Sequence, residues 1–80
     1  MKSASHGLAS IFGCVLAEQR KKTKLSQEDL ALECGLDRTY ISLLERGQRQ
    51  PSLKSLFAIC SALKISPSEM LSIVEKRMSL

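Results

Sequence analysis

The stretch from Gln27 to Arg46, QEDLALECGLDRTYISLLER, limits most strongly what this chain can become. It divides into two short helical segments that meet at Gly35. Ser26 stands where the first of them starts, and a serine side chain just outside a helix accepts from first-turn amides that have no partner within it. Asp37 holds the same place before the second segment. Gly35 lies where the first helix has to stop, because glycine takes the left-handed conformation of a helix end without a Cβ clash. Two capped helices with such a turn between them make a helix-turn-helix. The apolar residues agree with this. Ala31 is small where the two helices approach, Leu36 fills the turn, and Ile41 and Leu44 lie one turn apart on the second helix.

In a helix-turn-helix that binds DNA, the second helix enters the major groove and its first turn meets base edges. Arg38, Thr39 and Ser42 fall on that reading face. Arg38 suits a bidentate bond to guanine O6 and N7, and Thr39 suits a base edge or a thymine methyl. Leu43 departs from the small or polar residue such a face favours, and is either an apolar base contact or partial core. Phosphate contacts come from basic and polar groups around the reading helix, here Tyr40, Arg46, Arg49 and Lys54. The net charge of +4 suits DNA but would also suit any soluble protein. Its distribution is more telling: Arg20, Lys21, Lys22 and Lys24 form one run and Arg46, Arg49 and Lys54 another, on either side of the reading helix.

Eighty residues make one domain, which at this size buries only about 60% of the surface its unfolded chain exposes. Cys14, Cys34 and Cys60 are too far apart in sequence for metal-ligand spacing and are odd in number, which predicts reduced core thiols. A catalytic thiol needs a base, and the single histidine, His6, lies in the polar start of the chain. With no phosphate-cradling loop and no metal motif, the expectation is a cytoplasmic non-enzyme with no cofactor and no small-molecule ligand. The start, MKSASHGLASIFGC, has the look of a short export signal, but its apolar run is too short for one. Leu8, Ile11, Phe12, Val15 and Leu16 instead follow the stripe of an amphipathic helix, and no segment is long enough to span a membrane.

In chain order, residues 1–6 are expected to form a flexible tail and residues 7–80 one all-α domain of five helices. The first runs from about Gly7 to Lys22. An apolar residue, a cap and a second apolar residue then recur at the spacing of a hydrophobic staple: Leu25 and Leu30 about Ser26, Leu36 and Ile41 about Asp37, Ile65 and Met70 about Ser66. Gly47 ends the third helix, and Ser52 caps a fourth from Leu53 to about Lys64 with Leu53, Leu56, Phe57, Cys60 and Leu63 as core. Ser66-Pro67-Ser68-Glu69 opens a fifth, reaching about Arg77. Met70 and Leu71 are expected in the core, leaving Ile73, Val74, Arg77 and Met78 as a dimer face.

The segments LSQEDLA, G, LDRTYI, LLERG and QRQPSL resemble the lambda-repressor-like, XRE-type helix-turn-helix family over about Ile11 to Leu71. The resemblance implies a compact lambda-repressor-like fold, with the helix-turn-helix formed by helices 2 and 3, and a transcriptional regulator of double-stranded DNA. It also implies an ion pair between Arg20 and Glu45 and a phosphate contact from Gln27. LDRTYIS followed by ER is similar to the controller proteins of restriction–modification systems; a phage-type repressor is the neighbouring expectation. One helix reads too few base pairs to select a promoter, so a homodimer on a palindromic operator, with half-sites ~34 Å apart, is expected to block or contact RNA polymerase. The rival reading is an antitoxin-like module that binds a toxin, against which the basic, short-side-chain face of the third helix favours DNA.

Overall fold

Every helix after the first starts at a residue whose side chain accepts from that helix's opening amides. Ser26 accepts from Asp29 and Asp37 from Thr39, while Ser52 and Ser66 accept from Ser55 and Glu69. The computed structural model describes residues 3–79, and side chains from Gly7 onward. It places α1 at Ser3–Lys22, α2 at Gln27–Cys34, α3 at Arg38–Glu45, α4 at Leu53–Leu63 and α5 at Pro67–Met78, with no strand among the described residues. α1 begins ahead of the Gly7 start that the sequence predicts. Nothing between Ser3 and Gly7 breaks a helix, and extending an existing helix costs little. Met1, Lys2 and the His6 side chain lie outside the described residues.

The three staples fix how these helices meet. Leu30, Ile41 and Met70 are fully buried, while Leu25, Leu36 and Ile65 pack from the side onto the same core. Burying one such side chain contributes about 1.5–3 kcal/mol, so each cap is coupled to a packing gain larger than its own. α1 lies across α3 and α5 through Phe12, Val15 and Leu16; α2 lies against α3 and α4. Gly35, at φ 71, closes α2, and its amide donates to the Ala31 carbonyl.

Two helices present a different side from the one their spacing suggests. On α4, Leu53 and Phe57 are 74% and 59% exposed, and Ile59 joins Leu56, Cys60 and Leu63 in the core. α4 is apolar on nearly every side, so helical period alone does not choose its inward face. On α5, Leu71 is 45% exposed and Val74 is buried beside Met70. These two lie at i and i+4 and form the inward stripe, which removes Val74 from the expected dimer face. Of the cysteines, Cys60 is core, Cys34 is half-buried and Cys14 is exposed. Burial pushes the Cys60 and Cys34 thiols up, away from the reactive thiolate.

Arg77, also expected on the dimer face, reaches across to α1 and donates from both terminal nitrogens to the Glu18 carboxylate. That bond holds the Glu18 carboxyl below its ordinary value of 4.5. A depressed folded-state pKa means the pair stabilises the fold above that ordinary value, and the contribution is lost as pH falls through the folded one. Thermal melts of the parent and Glu18→Gln should therefore differ at about pH 7, with the variant lower, and converge at about pH 2. A difference that persists unchanged in acid would show the effect to be packing.

Candidate nucleic-acid interface

α3 is amphipathic across its short length. Ile41 and Leu44 are fully buried, and the opposite side carries Arg38 and Thr39, both exposed, with Ser42 and Leu43 half-buried beside them. These four residues follow i, i+1, i+4, i+5 and share one face. Leu43 is partly covered yet stands outside the core cluster, so it lies at the edge of that face. Arg46 extends the face by a turn and its Nε donates to the Ser42 carbonyl at 3.4 Å.

What ties down the C-terminal end of α3 is a charged cluster centred on Glu45. Arg20 Nε lies 2.6 Å from Glu45 Oε2, and Nη2 donates to Oε1 at 3.0 Å, so the guanidinium meets the carboxylate side-on. The two side chains are 12% and 8% exposed. Arg20 Nη1 also donates to the Leu25 carbonyl at 2.9 Å, which ties the α1–α2 turn to the same point. Gln27 Nε2 donates to Glu45 Oε1 at 3.0 Å. The carboxylate is thereby bonded from both α1 and α2, and the Arg20 guanidinium is held more firmly protonated by it. The Gln27 amide, with one hydrogen bonded to Glu45, keeps a second that could meet a phosphate.

A second cluster anchors the side toward α4. Tyr40 is half-buried against the core, and its hydroxyl accepts from the Ser52 amide at 3.4 Å. The Arg49 guanidinium stacks over the Tyr40 ring at 5.4 Å from its centroid, a cation–π contact that limits where this arginine can reach. Lys54 is exposed in the first turn of α4. Arg38, Thr39 and Ser42 thus come together on one helix that also carries Tyr40, with Arg46 at its C-cap and Gln27, Arg49 and Lys54 on the segments that frame it. Of the expected dimer residues, Met78 is 38% exposed, Ile73 is half-buried against the core, and Val74 and Arg77 are engaged as described above.

Sequence reasoning leaves out the Gln27–Glu45 bond, the Tyr40–Arg49 stack and the close approach of Gly13 to the end of α3. The first two join residues far apart in the chain and give no local signal. Gly13 did give one, a lone glycine inside a helical stripe. Among the described residues, no three His, Cys, Asp or Glu side chains come together as a metal site would require, and no single helix is long and apolar enough to cross a membrane.

The helix-turn-helix family profile matches residues 16–70. Control protein C.MunI of Mycoplasma sp is 48% identical over 66 residues, spanning 81% of this chain and 89% of the relative. Control protein C.BamHI of Bacillus amyloliquefaciens is 41% identical over 68 residues, spanning 84% of each. The crystal structure of the restriction-modification controller protein C.AhdI from Aeromonas hydrophila superposes with a TM-score of 0.75 at 45% identity, covering 78% of this chain and 94% of that one.

Breaking a buried ion pair from one side leaves an uncompensated charge, at about 3–5 kcal/mol. Arg20→Ala should therefore lower the melting temperature by roughly 12 °C or more for a domain of this size. A melting temperature within a degree of the parent would show that the pair carries no net stability.

Proposed function

This chain belongs to the helix-turn-helix family, and we propose that it is a transcriptional regulator that binds a palindromic DNA operator as a homodimer, in the manner of a restriction–modification controller or a phage-type repressor. The observation that carries this reading is the outward face of Arg38, Thr39 and Ser42 on a helix clamped at its C-terminal end by Arg20, Glu45 and Gln27. Such a clamp presents these polar side chains at a fixed angle, which base reading requires and a loose helix does not supply. Arg38 takes the bidentate base contact, with Thr39, Ser42 and the edge residue Leu43 beside it. Gln27, Tyr40, Arg46, Arg49 and Lys54 hold the phosphates.

The homodimer uses the outer faces of α4 and α5. Leu53, Phe57, Leu71 and Met78 are large apolar side chains left exposed there, and Leu53 and Leu71 line an apolar hollow with Leu8, Phe12 and Pro51. A two-fold interface must be self-complementary, and this surface offers both apolar projections and a recess to receive them. The proposed interface keeps Met78 from the expected set and replaces Ile73, Val74 and Arg77, which pack or bond within the fold. At a promoter the bound dimer excludes RNA polymerase or contacts it. The outer side of α2, with Leu32 75% exposed near Glu28 and Glu33, is the surface available for contact. The protein acts in the cytoplasm, without cofactor, small-molecule ligand or catalytic step.

Selection from a random DNA pool followed by binding of Arg38→Ala tests the reading face. The variant should lose about 1–3 kcal/mol on the selected site and relax preference at one base position. Equal weakening on selected and random duplexes would reassign Arg38 to phosphate binding, and a parent that enriches no sequence would overturn the reading.

Sedimentation at micromolar concentration tests the interface. The parent should run as a dimer and Phe57→Glu as a folded monomer. A parent that remains monomeric on its palindrome, or a Phe57→Glu that dimerises like the parent, would refute this surface.

A further inference from the structure

The C-terminal turn of α3 rests on α1 through bare backbone. A Cβ on Gly13 would lie 2.4 Å from the Leu44 carbonyl oxygen and 2.6 Å from that of Glu45. Both are closer than the 3.0 Å that real Cβ atoms respect, and both neighbours are main-chain atoms that cannot rotate away. Just beyond the end of α3, Gly47 sits at φ 76, where the Gly47 and Gln48 amides donate back to the Leu44 and Leu43 carbonyls. A Cβ on Gly47 would lie 2.9 Å from Ser10 Cα and Oγ, one turn before Gly13 on α1. Glycine is a poor residue for the middle of a helix, so its use at position 13 reflects this close approach and not the needs of α1 itself.

We propose that Gly13, together with the seat of Gly47 on Ser10, is a positioning site for base recognition, setting the angle at which α3 presents Arg38, Thr39 and Ser42. This rests on the reading of α3 as the DNA-reading helix. Relieving a 2.4 Å contact to the ordinary van der Waals distance of 3.4 Å requires the end of α3 to lift by about 1 Å. α3 has eight residues and a length of ~12 Å, so a lift at one end tilts the other. The Glu45 carbonyl moves with it, drawing the carboxylate away from Arg20 and Gln27. A base-edge hydrogen bond works only across about half an ångström of donor–acceptor distance, whereas attraction to a phosphate falls gently with separation. Discrimination between sequences is therefore lost before affinity for DNA in general.

The test compares binding of the full chain to the duplex recovered from a random pool by the parent and to a random duplex of equal length. Gly13→Ala and Ser10→Leu are measured beside Ile59→Val, which loosens the shared core from α4 and leaves the α1–α3 backbone contact at Gly13 unchanged. For Gly13→Ala the selected-to-random affinity ratio should fall about tenfold, the loss of one good base contact, while random-duplex binding stays near parental. Ile59→Val should keep the parental ratio. Circular dichroism establishes which variants are folded, and if Gly13→Ala is not, the exposed-site variant Ser10→Leu decides by the same ratio. A folded variant with the parental ratio overturns the proposal alone, as does an equal fall in Ile59→Val. A parent that selects no sequence overturns the DNA reading and this proposal with it.

Discussion

The arrangement of this domain depends on one carboxylate. Glu45 ends α3 and accepts two bonds from Arg20 on α1 and one from Gln27 at the start of α2, so three of the five helices converge on its two oxygens. Apolar burial can hold α3 in the core through Ile41 and Leu44, but dispersion contacts are weakly directional and allow a short helix to roll. A side-on guanidinium–carboxylate pair is directional and fixes both distance and plane. The same guanidinium reaches the Leu25 carbonyl, so the turn between α1 and α2 is set by the group that sets α3. In a chain this small, where little core is available, orientation comes from a few polar bonds placed where they tie several elements at once.

That division explains the two faces of the molecule. The polar clamp and the Tyr40–Arg49 stack stiffen the side that carries Arg38, Thr39 and Ser42. On the other side α4 and α5 meet at a bend of 103°, and more apolar surface is present than one core can cover. Leu53, Phe57, Leu71 and Met78 are what remains exposed, and they form the surface that the proposed homodimer uses.

Much of this was legible in the sequence because its signals are local. Ser26, Asp37, Ser52 and Ser66 announce helix starts by hydrogen-bond chemistry with amides two or three residues away, and the staple pairs span only five residues. The Arg20–Glu45 pair spans 25 residues and entered only through family resemblance, since no local rule links the two positions. Faces were harder than boundaries. α4 carries apolar residues around most of its circumference, so choosing Phe57 or Ile59 as core depends on where α2 and α5 lie, which periodicity does not encode. The same ambiguity exchanged Leu71 for Val74 on α5. Gly13 was visible as a residue out of place in a helix, but what it accommodates belongs to a different helix.

The claim that α3 is oriented by a directional bond to α1, and not by burial alone, is tested most directly by a double-mutant cycle on Arg20 and Glu45, using Arg20→Met, Glu45→Leu and the pair together in urea unfolding. Coupled residues in one ion-pair network show interaction energies of about 0.5–3 kcal/mol, and the exposures of 12% and 8% place this pair toward the upper end. The account predicts a double variant more stable than the two single losses added together, by about 2 kcal/mol or more. Single effects that add to within about 0.5 kcal/mol would contradict it and leave α3 held by its apolar face alone.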